Sequence, residues 1–285
     1  MRKPKNFFYF LIISTAFLSL SVLAQTIGSE TQEESNQGQV ESAPPSLSDQ
    51  ASAFMRKRGL KNCKEAVVLY RKLLAEKRDD LDRKLNLADA LNCVMRIQTN
   101  GNIPLIEGTS DTDPHKKIWA QMGPEALALA EAVYQARPND VRTLAVYTDA
   151  YMYRSSAWGI VNAVVKGAAD QYVENAENMA KKFPKYDSGV GHAFMGAFYL
   201  LAPWPLSDDE KARARMEAAH RIEPKSKRNN YYLGVVAYRE DNFQEAIEHF
   251  EKAKEAKCLS LAEKDFCSFM KRQIIRGITR SQEQL

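Results

Sequence analysis

Residues that usually carry catalysis or metal binding are scarce in this sequence. Its four histidines show no zinc-ligand spacing with one another or with a cysteine. No Gly-x-Ser-x-Gly nucleophile motif occurs, and the glycine pair Gly189 and Gly191 lacks the lysine of a phosphate-binding loop. His220 and His249 fall among charged positions and are expected to face solvent. We therefore predict that the protein is not an enzyme and uses no metal or cofactor.

A strong excess of charge of either sign is also absent. The formal net charge is +4, from 40 Lys and Arg against 36 Asp and Glu. Residues 1–24 carry Arg2, Lys3 and Lys5 and no acidic residue, so 37 basic and 36 acidic residues remain beyond them. Non-specific nucleic-acid binding needs many phosphate-neutralising contacts. The near-neutral body therefore argues against a nucleic-acid partner.

Residues 1–24 have the pattern of a signal peptide. A basic start precedes the apolar run Phe7–Leu23, and Val22, Leu23 and Ala24 offer a small-residue cleavage pattern. Cleavage after Ala24 predicts a periplasmic protein. An uncleaved N-terminal membrane anchor is the alternative, since the run is close to the lower limit of about 18 residues for a membrane span. No cysteine follows the run, so a lipid anchor is not expected there.

The next segment, 25–50, is rich in Ser, Glu and Gln and contains the Pro44–Pro45 pair. It shows no apolar periodicity and cannot bury enough surface to offset its chain entropy, which predicts a disordered linker. Beyond it, few glycines and a hydrophobic content of 45% over the whole chain are typical of a folded, mostly helical protein. We expect one folded domain over 51–285.

A 34-residue period organises the C-terminal half of this domain. The triplet Ala212, Met216 and Ala219 recurs 34 residues later as Ala246, Phe250 and Ala253. A glycine in an apolar helical pattern, Gly196 or Gly234, precedes each triplet. A helix–turn–helix unit of this length, with small residues at the helix crossing, is typical of the tetratricopeptide repeat. The sequence therefore predicts an all-α fold, a superhelix of stacked antiparallel helix pairs.

The four cysteines have spacings that predict two disulfide bonds. Cys63 and Cys93 lie about 15 residues on either side of a predicted turn near Arg78, so antiparallel helices would bring them face to face. Cys258 and Cys267 similarly flank the turn after the last repeat helix. An exported protein would keep both bonds oxidised. Four buried free thiols are the alternative.

Aromatic residues in the first helices of the pairs, or in loops beside them, are the candidate binding residues. First helices line the concave surface of a solenoid, so an excess of aromatic residues there predicts a groove or pocket. Packing in the core is the alternative for each of them. The ligand- or partner-binding candidates are Tyr151, Tyr153, Trp158, His192, Tyr199 and Trp204.

Three segments resemble a narrower family. They are the run Ser156–Lys166, the stretch Phe183–His192, and Gly196–Pro203 followed by a short insert. Together they resemble the T component of TRAP transporters, which are exported tetratricopeptide-repeat proteins that work beside a periplasmic solute-binding protein. The resemblance implies an all-α superhelix with a hydrophobic pore or groove, a solute-binding protein as partner, and homo-oligomers as an option.

These observations favour a non-catalytic, exported scaffold that binds a partner protein in the cell envelope. By resemblance, it would be an accessory component of a TRAP-type solute transport system. The alternative function is a carrier of a small apolar ligand, held in a groove or pore of the superhelix.

Overall fold

A computed structural model describes residues 44–285, and all regular structure in this range is helical. Predictions for residues 1–43, the signal peptide and most of the linker, lie outside the described residues. The helices are α1 (Leu47–Lys57), α2 (Leu60–Glu76), α3 (Leu81–Gln98), α4 (Asp113–Ala136), α5 (Val141–Ser156), α6 (Ile160–Val165), α7 (Ala168–Lys182), α8 (Val190–Leu201), α9 (Asp209–Ile222), α10 (Lys227–Arg239), α11 (Phe243–Glu255) and α12 (Leu261–Gln282).

The first helix begins earlier than the sequence predicts. Helix α1 starts at Leu47, inside the segment 25–50 that is predicted to be a linker. The Ser46 hydroxyl accepts a hydrogen bond from the backbone N–H of Asp49 and so caps the new helix. Ala51 is fully buried against the following helix. A capping serine and one packed turn therefore extend the folded domain to the N-terminal side of residue 51.

The helices pack as antiparallel pairs, α1 with α2, α3 with α4, α5 with α7, α8 with α9, and α10 with α11. Short turns lead from one pair to the next. After three of these turns the new helix begins with a capping side chain that accepts hydrogen bonds from its backbone N–H groups: Asp80 caps α3, Asp140 caps α5 and Ser226 caps α10. The prediction of an all-α superhelix of stacked pairs is confirmed.

The predicted repeat residues form the contacts between the helices of each pair. Ala212, Ala219, Ala246, Phe250 and Ala253 are fully buried, and Met216 is almost so. Alanine at these positions lets two helices approach closely, while the larger Met and Phe fill the space between them. The 34-residue period therefore marks positions that bury their side chains for the same geometric reason in each repeat.

Both predicted cysteine pairs lie at disulfide distance. The Sγ atoms of Cys63 and Cys93 are 2.03 Å apart and join α2 to α3. Those of Cys258 and Cys267 are 2.15 Å apart and join the turn after α11 to the first half of α12. Each bond therefore fixes one end of the solenoid.

The final helix does more than cap the last repeat. Helix α12 packs against α11 and α10, and it also contacts α3 and the turn that follows α3. Phe266 lies against Gly101, where a Cβ atom would come within 2.6 Å of the Phe266 ring. The last helix therefore closes the solenoid onto its second helix pair.

Candidate functional site

Closure by α12 turns the concave side of the superhelix into a central chamber of about 420 Å³. Buried charges fix the closure. Asp265 of α12 is fully buried and accepts hydrogen bonds from Arg58, at 3.0 Å from Nε to Oδ1, and from Arg96, at 2.9 Å from Nη1 to Oδ2. Arg96 also contacts Asp149 of α5. The Asp265 carboxylate on the last helix therefore joins the first two helix pairs to the end of the chain, and Arg96 extends the link to Asp149 in the third pair.

The surroundings of Arg96 and Asp149 shift the pKa values of these two groups. Burial favours the neutral form of Arg96, but the charges of Asp149 and Asp265 outweigh it and raise the pKa of Arg96 well above its ordinary value. Burial raises the pKa of Asp149, and the opposing effect of Arg96 is smaller. The Arg96 guanidinium therefore stays charged, and desolvation acts on the neighbouring carboxyl of Asp149.

A second surface lies at the edge where the two helices of each pair are connected. Three successive connections are long there, 99–112, 157–167 (which includes α6) and 202–208, whereas the connection 240–242 is short. Because the pairs stack in the same orientation, these connections lie along one edge of the solenoid. We call this surface the connection edge.

The connection edge contains an apolar pocket of about 120 Å³. Ile160, Ala163 and Val164 of α6 form one wall, and Phe198 and Leu201 of α8 form another. Large apolar side chains of the same connections face solvent: Val161 is 58% exposed, Val165 is 81% exposed and Trp204 is 87% exposed. Trp204 follows α8 in a loop that is held by a hydrogen bond from Asp208 N to Tyr199 O, 3.1 Å long.

The six predicted binding residues do not form one site. Only Tyr153 lines the central chamber, where it is buried, and only Trp204 is fully exposed, at the connection edge. Tyr151 packs beside Tyr147, with ring centroids 6.1 Å apart. The remaining three are partly buried and lie near cationic side chains. Arg154 and Lys166 lie over the Trp158 ring, and Lys211 lies over the Tyr199 ring. Burial lowers the pKa of His192, and the charges of Arg215 and Arg221 lower it further.

The charged cluster of the chamber is the part of the site that sequence patterns do not show. Arg96 and Asp265 are 169 residues apart and belong to helices that share no repeat register. Within residues 44–285, no group of three or more His, Cys, Asp or Glu side chains is placed to hold a metal ion.

The expectation that His220 and His249 face solvent is wrong. They lie on the adjacent second helices α9 and α11, with ring centroids 5.9 Å apart, and both are partly buried. Burial lowers the pKa of each below its ordinary value, and Lys252 lowers both further. Only Glu245, with its carboxylate 3.6 Å from Nε2 of His249, acts in the opposite direction. Neighbouring second helices bring together side chains that the sequence places in separate repeats.

This histidine pair predicts a loss of stability in mild acid. Both histidines have a lower pKa in the folded chain than in the unfolded chain, so unfolding takes up protons as the pH falls below about 6.5. We expect the urea midpoint to fall more steeply between pH 7.5 and pH 5.5 in the wild type than in the double variant His220→Gln/His249→Gln. Equal slopes for the two proteins would contradict the prediction.

Comparisons with known proteins identify the architecture. No family model matches the sequence, and no curated protein matches it. The structure is similar to TTC0263, a thermophilic TPR protein in Thermus thermophilus, with a TM-score of 0.54 and 16% identity over 81% of this chain and 100% of that chain. It also aligns with the complex of the TPR2AB domain of yeast Sti1 with pHSP90, at a TM-score of 0.32 and 15% identity over 83% of this chain and 97% of that chain. The fold is a tetratricopeptide-repeat α-solenoid.

Proposed function

We propose that the chain is an exported, non-catalytic scaffold that binds a partner protein in the cell envelope through its connection edge. Tetratricopeptide-repeat structures suggest a protein-interaction scaffold in general terms. The observation that supports a particular surface is Trp204, a large aromatic side chain that is 87% exposed and follows Leu201, which lines the apolar pocket, by three residues. Exposed aromatic residues next to apolar pockets are typical of the energetic centre of protein interfaces.

Because α12 closes the concave side, the partner binds at the connection edge instead. A partner peptide on the concave side would have to compete with α12, which Asp265 holds in place through two buried arginines. The connection edge needs no such displacement. It combines an apolar centre with a rim that carries both signs of charge, among them Lys166, Asp170 and Asp208, as protein interfaces commonly do.

Export and the TRAP-type role are further parts of this proposal. The pattern of residues 1–24 and two cysteine pairs at disulfide distance support export, because disulfides persist in oxidising compartments such as the periplasm. Within residues 44–285, no helix is both long and apolar enough to span a bilayer. The resemblance to T components makes a periplasmic solute-binding protein the proposed partner.

The alternative function, a carrier of a small apolar ligand in the concave groove or pore, has less support. The central chamber is lined by charged side chains from four arginines and three aspartates. Placing an apolar molecule among them would remove water from charged groups without replacing its hydrogen bonds. The apolar pocket lies instead at the connection edge.

Trp204→Ala is expected to weaken partner binding without altering stability. Removing an aromatic side chain at an interface centre costs about 2 kcal/mol or more, which is roughly 30-fold in affinity. Tm should stay within a degree or two of the wild type, because the side chain is 87% exposed in this chain. Capture from envelope extract on immobilised full-length protein, with mass spectrometry of the bound fraction, measures the effect.

The control is Val68→Ser, which changes an exposed apolar residue on α2, away from the connection edge. Capture of a solute-binding protein by wild type and Val68→Ser, but not by Trp204→Ala, would support the full proposal. Equal capture by all three proteins would reject the connection edge. Capture of no envelope protein would reject the scaffold function, and fractionation to the cytoplasm would reject export.

A further inference from the structure

The central chamber contains hydroxyl groups whose hydrogen bonding the fold leaves incomplete. Tyr186 and Tyr232 line it, and neither hydroxyl is hydrogen-bonded to another residue of the range 44–285. Tyr232 is 6% exposed. A tyrosine hydroxyl can donate and accept, so both groups can hydrogen-bond to a molecule in the chamber. The chamber is therefore suited to an occupant that supplies hydrogen bonds.

The charges that line the chamber are already paired. Arg58 and Arg96 contact Asp265, and Arg96 also contacts Asp149. Two further pairs surround the space: Nη2 of Arg142 is 3.1 Å from Oδ2 of Asp89, and Nη1 of Arg228 is 3.3 Å from Oδ1 of Asp187. A charged ligand would leave one of these pairs unbalanced, so an uncharged ligand fits best.

The pairs nevertheless offer many hydrogen bonds in close proximity. Each guanidinium presents N–H donors beside a carboxylate that has lone pairs to spare. A hydroxyl group both donates and accepts, so neighbouring hydroxyls on one molecule could bind both members of a pair. Phe194, Phe266 and Tyr232 add aromatic faces against which C–H groups of a ring could pack.

We propose that the central chamber binds an uncharged polyhydroxylated ring compound of the monosaccharide or cyclitol class. Its hydroxyl groups bridge the Arg228–Asp187 and Arg142–Asp89 pairs and the free tyrosine hydroxyls, and its ring packs on Phe194 or Phe266. The volume of about 420 Å³ lies within the range of about 300–1,000 Å³ that small-molecule sites occupy. The ligand enters beside Arg142, whose side chain is 48% exposed.

Binding is measured on the full-length protein by ligand-observed NMR and calorimetry with four probes. D-glucose and myo-inositol are the uncharged probes, and D-glucuronate and D-glucosamine carry one negative and one positive charge. We expect at least one uncharged probe to bind with a Kd of about 1 mM or tighter. The charged probes should bind at least tenfold more weakly.

Two matched variants locate the site. Tyr232→Phe removes one hydroxyl from the chamber and keeps the ring, and it should weaken binding of the uncharged probe about three- to tenfold. Tyr231→Phe is the control, because the Tyr231 hydroxyl donates to the carbonyl of Pro104, 2.8 Å away and outside the chamber. This variant should bind as the wild type does. Circular dichroism confirms that each variant is folded.

Three results would overturn the proposal: no binding of either uncharged probe, equal or tighter binding of a charged probe, or equal affinities of Tyr232→Phe and the wild type. If Tyr232→Phe fails to fold, Phe194→Leu takes its place and should weaken binding by removing a ring face. The proposal is independent of the connection edge, since Trp204→Ala should leave the affinity for the uncharged probe unchanged.

Discussion

Asp265→Ala is expected to lower the free energy of unfolding by about 3–5 kcal/mol. The fully buried carboxylate is the shared partner of Arg58, which is 10% exposed, and Arg96, which is 7% exposed. Its removal leaves two buried guanidinium groups with one remaining carboxylate partner, Asp149. Such uncompensated burial costs more than the ion pair contributes when it is intact, because the desolvation of the arginines is no longer offset.

Urea unfolding at neutral pH measures this change, and two further variants interpret it. Glu125→Ala removes one half of the exposed Arg71–Glu125 pair and should cost no more than about 1 kcal/mol. Asp265→Asn keeps the size of the side chain and removes its charge, so it separates the electrostatic loss from the cavity. A cost for Asp265→Ala as small as that of Glu125→Ala would show that the closure of the solenoid does not depend on this carboxylate.

The same substitution should release one end of the chain. Helix α12 contacts α3 through Asp265 and the turn after α3 through Phe266, and its second half packs on α10 and α11 and pairs Arg276 with Glu107. Limited proteolysis is therefore expected to cut the Asp265→Ala variant in the turn 256–260 sooner than the wild type. Equal cleavage rates would show that α12 stays closed without the ion pairs.

The contact of α12 with the second helix pair is also the feature that the sequence did not predict. The period of 34 residues predicts contacts between neighbouring helices, because each repeat buries its apolar face against the next one. Ala212, Phe250 and Ala253 are buried for this reason. A contact between the last helix and the second pair is not repeated, so it leaves no periodic pattern. Arg96 and Asp265 are ordinary charged residues in the sequence, and only the curvature of the whole superhelix brings them together.

The cysteine pairing was predictable because it depends on local geometry alone. In an antiparallel hairpin, positions equally distant from the turn face each other, and Cys63 and Cys93 satisfy this condition. The aromatic residues did not allow the same reasoning. Periodicity assigns Tyr151, Tyr153 and Tyr199 to first helices, but it does not say which neighbouring helix covers each of them. Tyr153 therefore reaches the chamber, while Tyr199 packs beside Phe198 at the end of α8.

Phe250→Ala is expected to lower the free energy of unfolding by a further large amount, about 3–5 kcal/mol. Its ring is fully buried between Gly234 of α10 and Gly277 of α12, and a Cβ atom at either glycine would come within 2.6 Å of it. Two helices therefore pack against opposite edges of one ring, and neither can move inward freely to fill the cavity. Urea or thermal unfolding of the variant measures the loss.

A second substitution makes this prediction more specific. Gly234→Ala should destabilise the wild type, because the new methyl group would overlap Phe250. In the Phe250→Ala background the same substitution should stabilise the protein by about 1 kcal/mol, since alanine favours the helix over glycine and fills part of the cavity. Gly196→Ala is the control, because its Cβ atom would meet the flexible Met216 side chain instead. Its effect should be the same in both backgrounds, as expected for distant and independent sites. If Gly234→Ala destabilises both backgrounds equally, the glycine is required by its backbone conformation and not by the ring that lies against it.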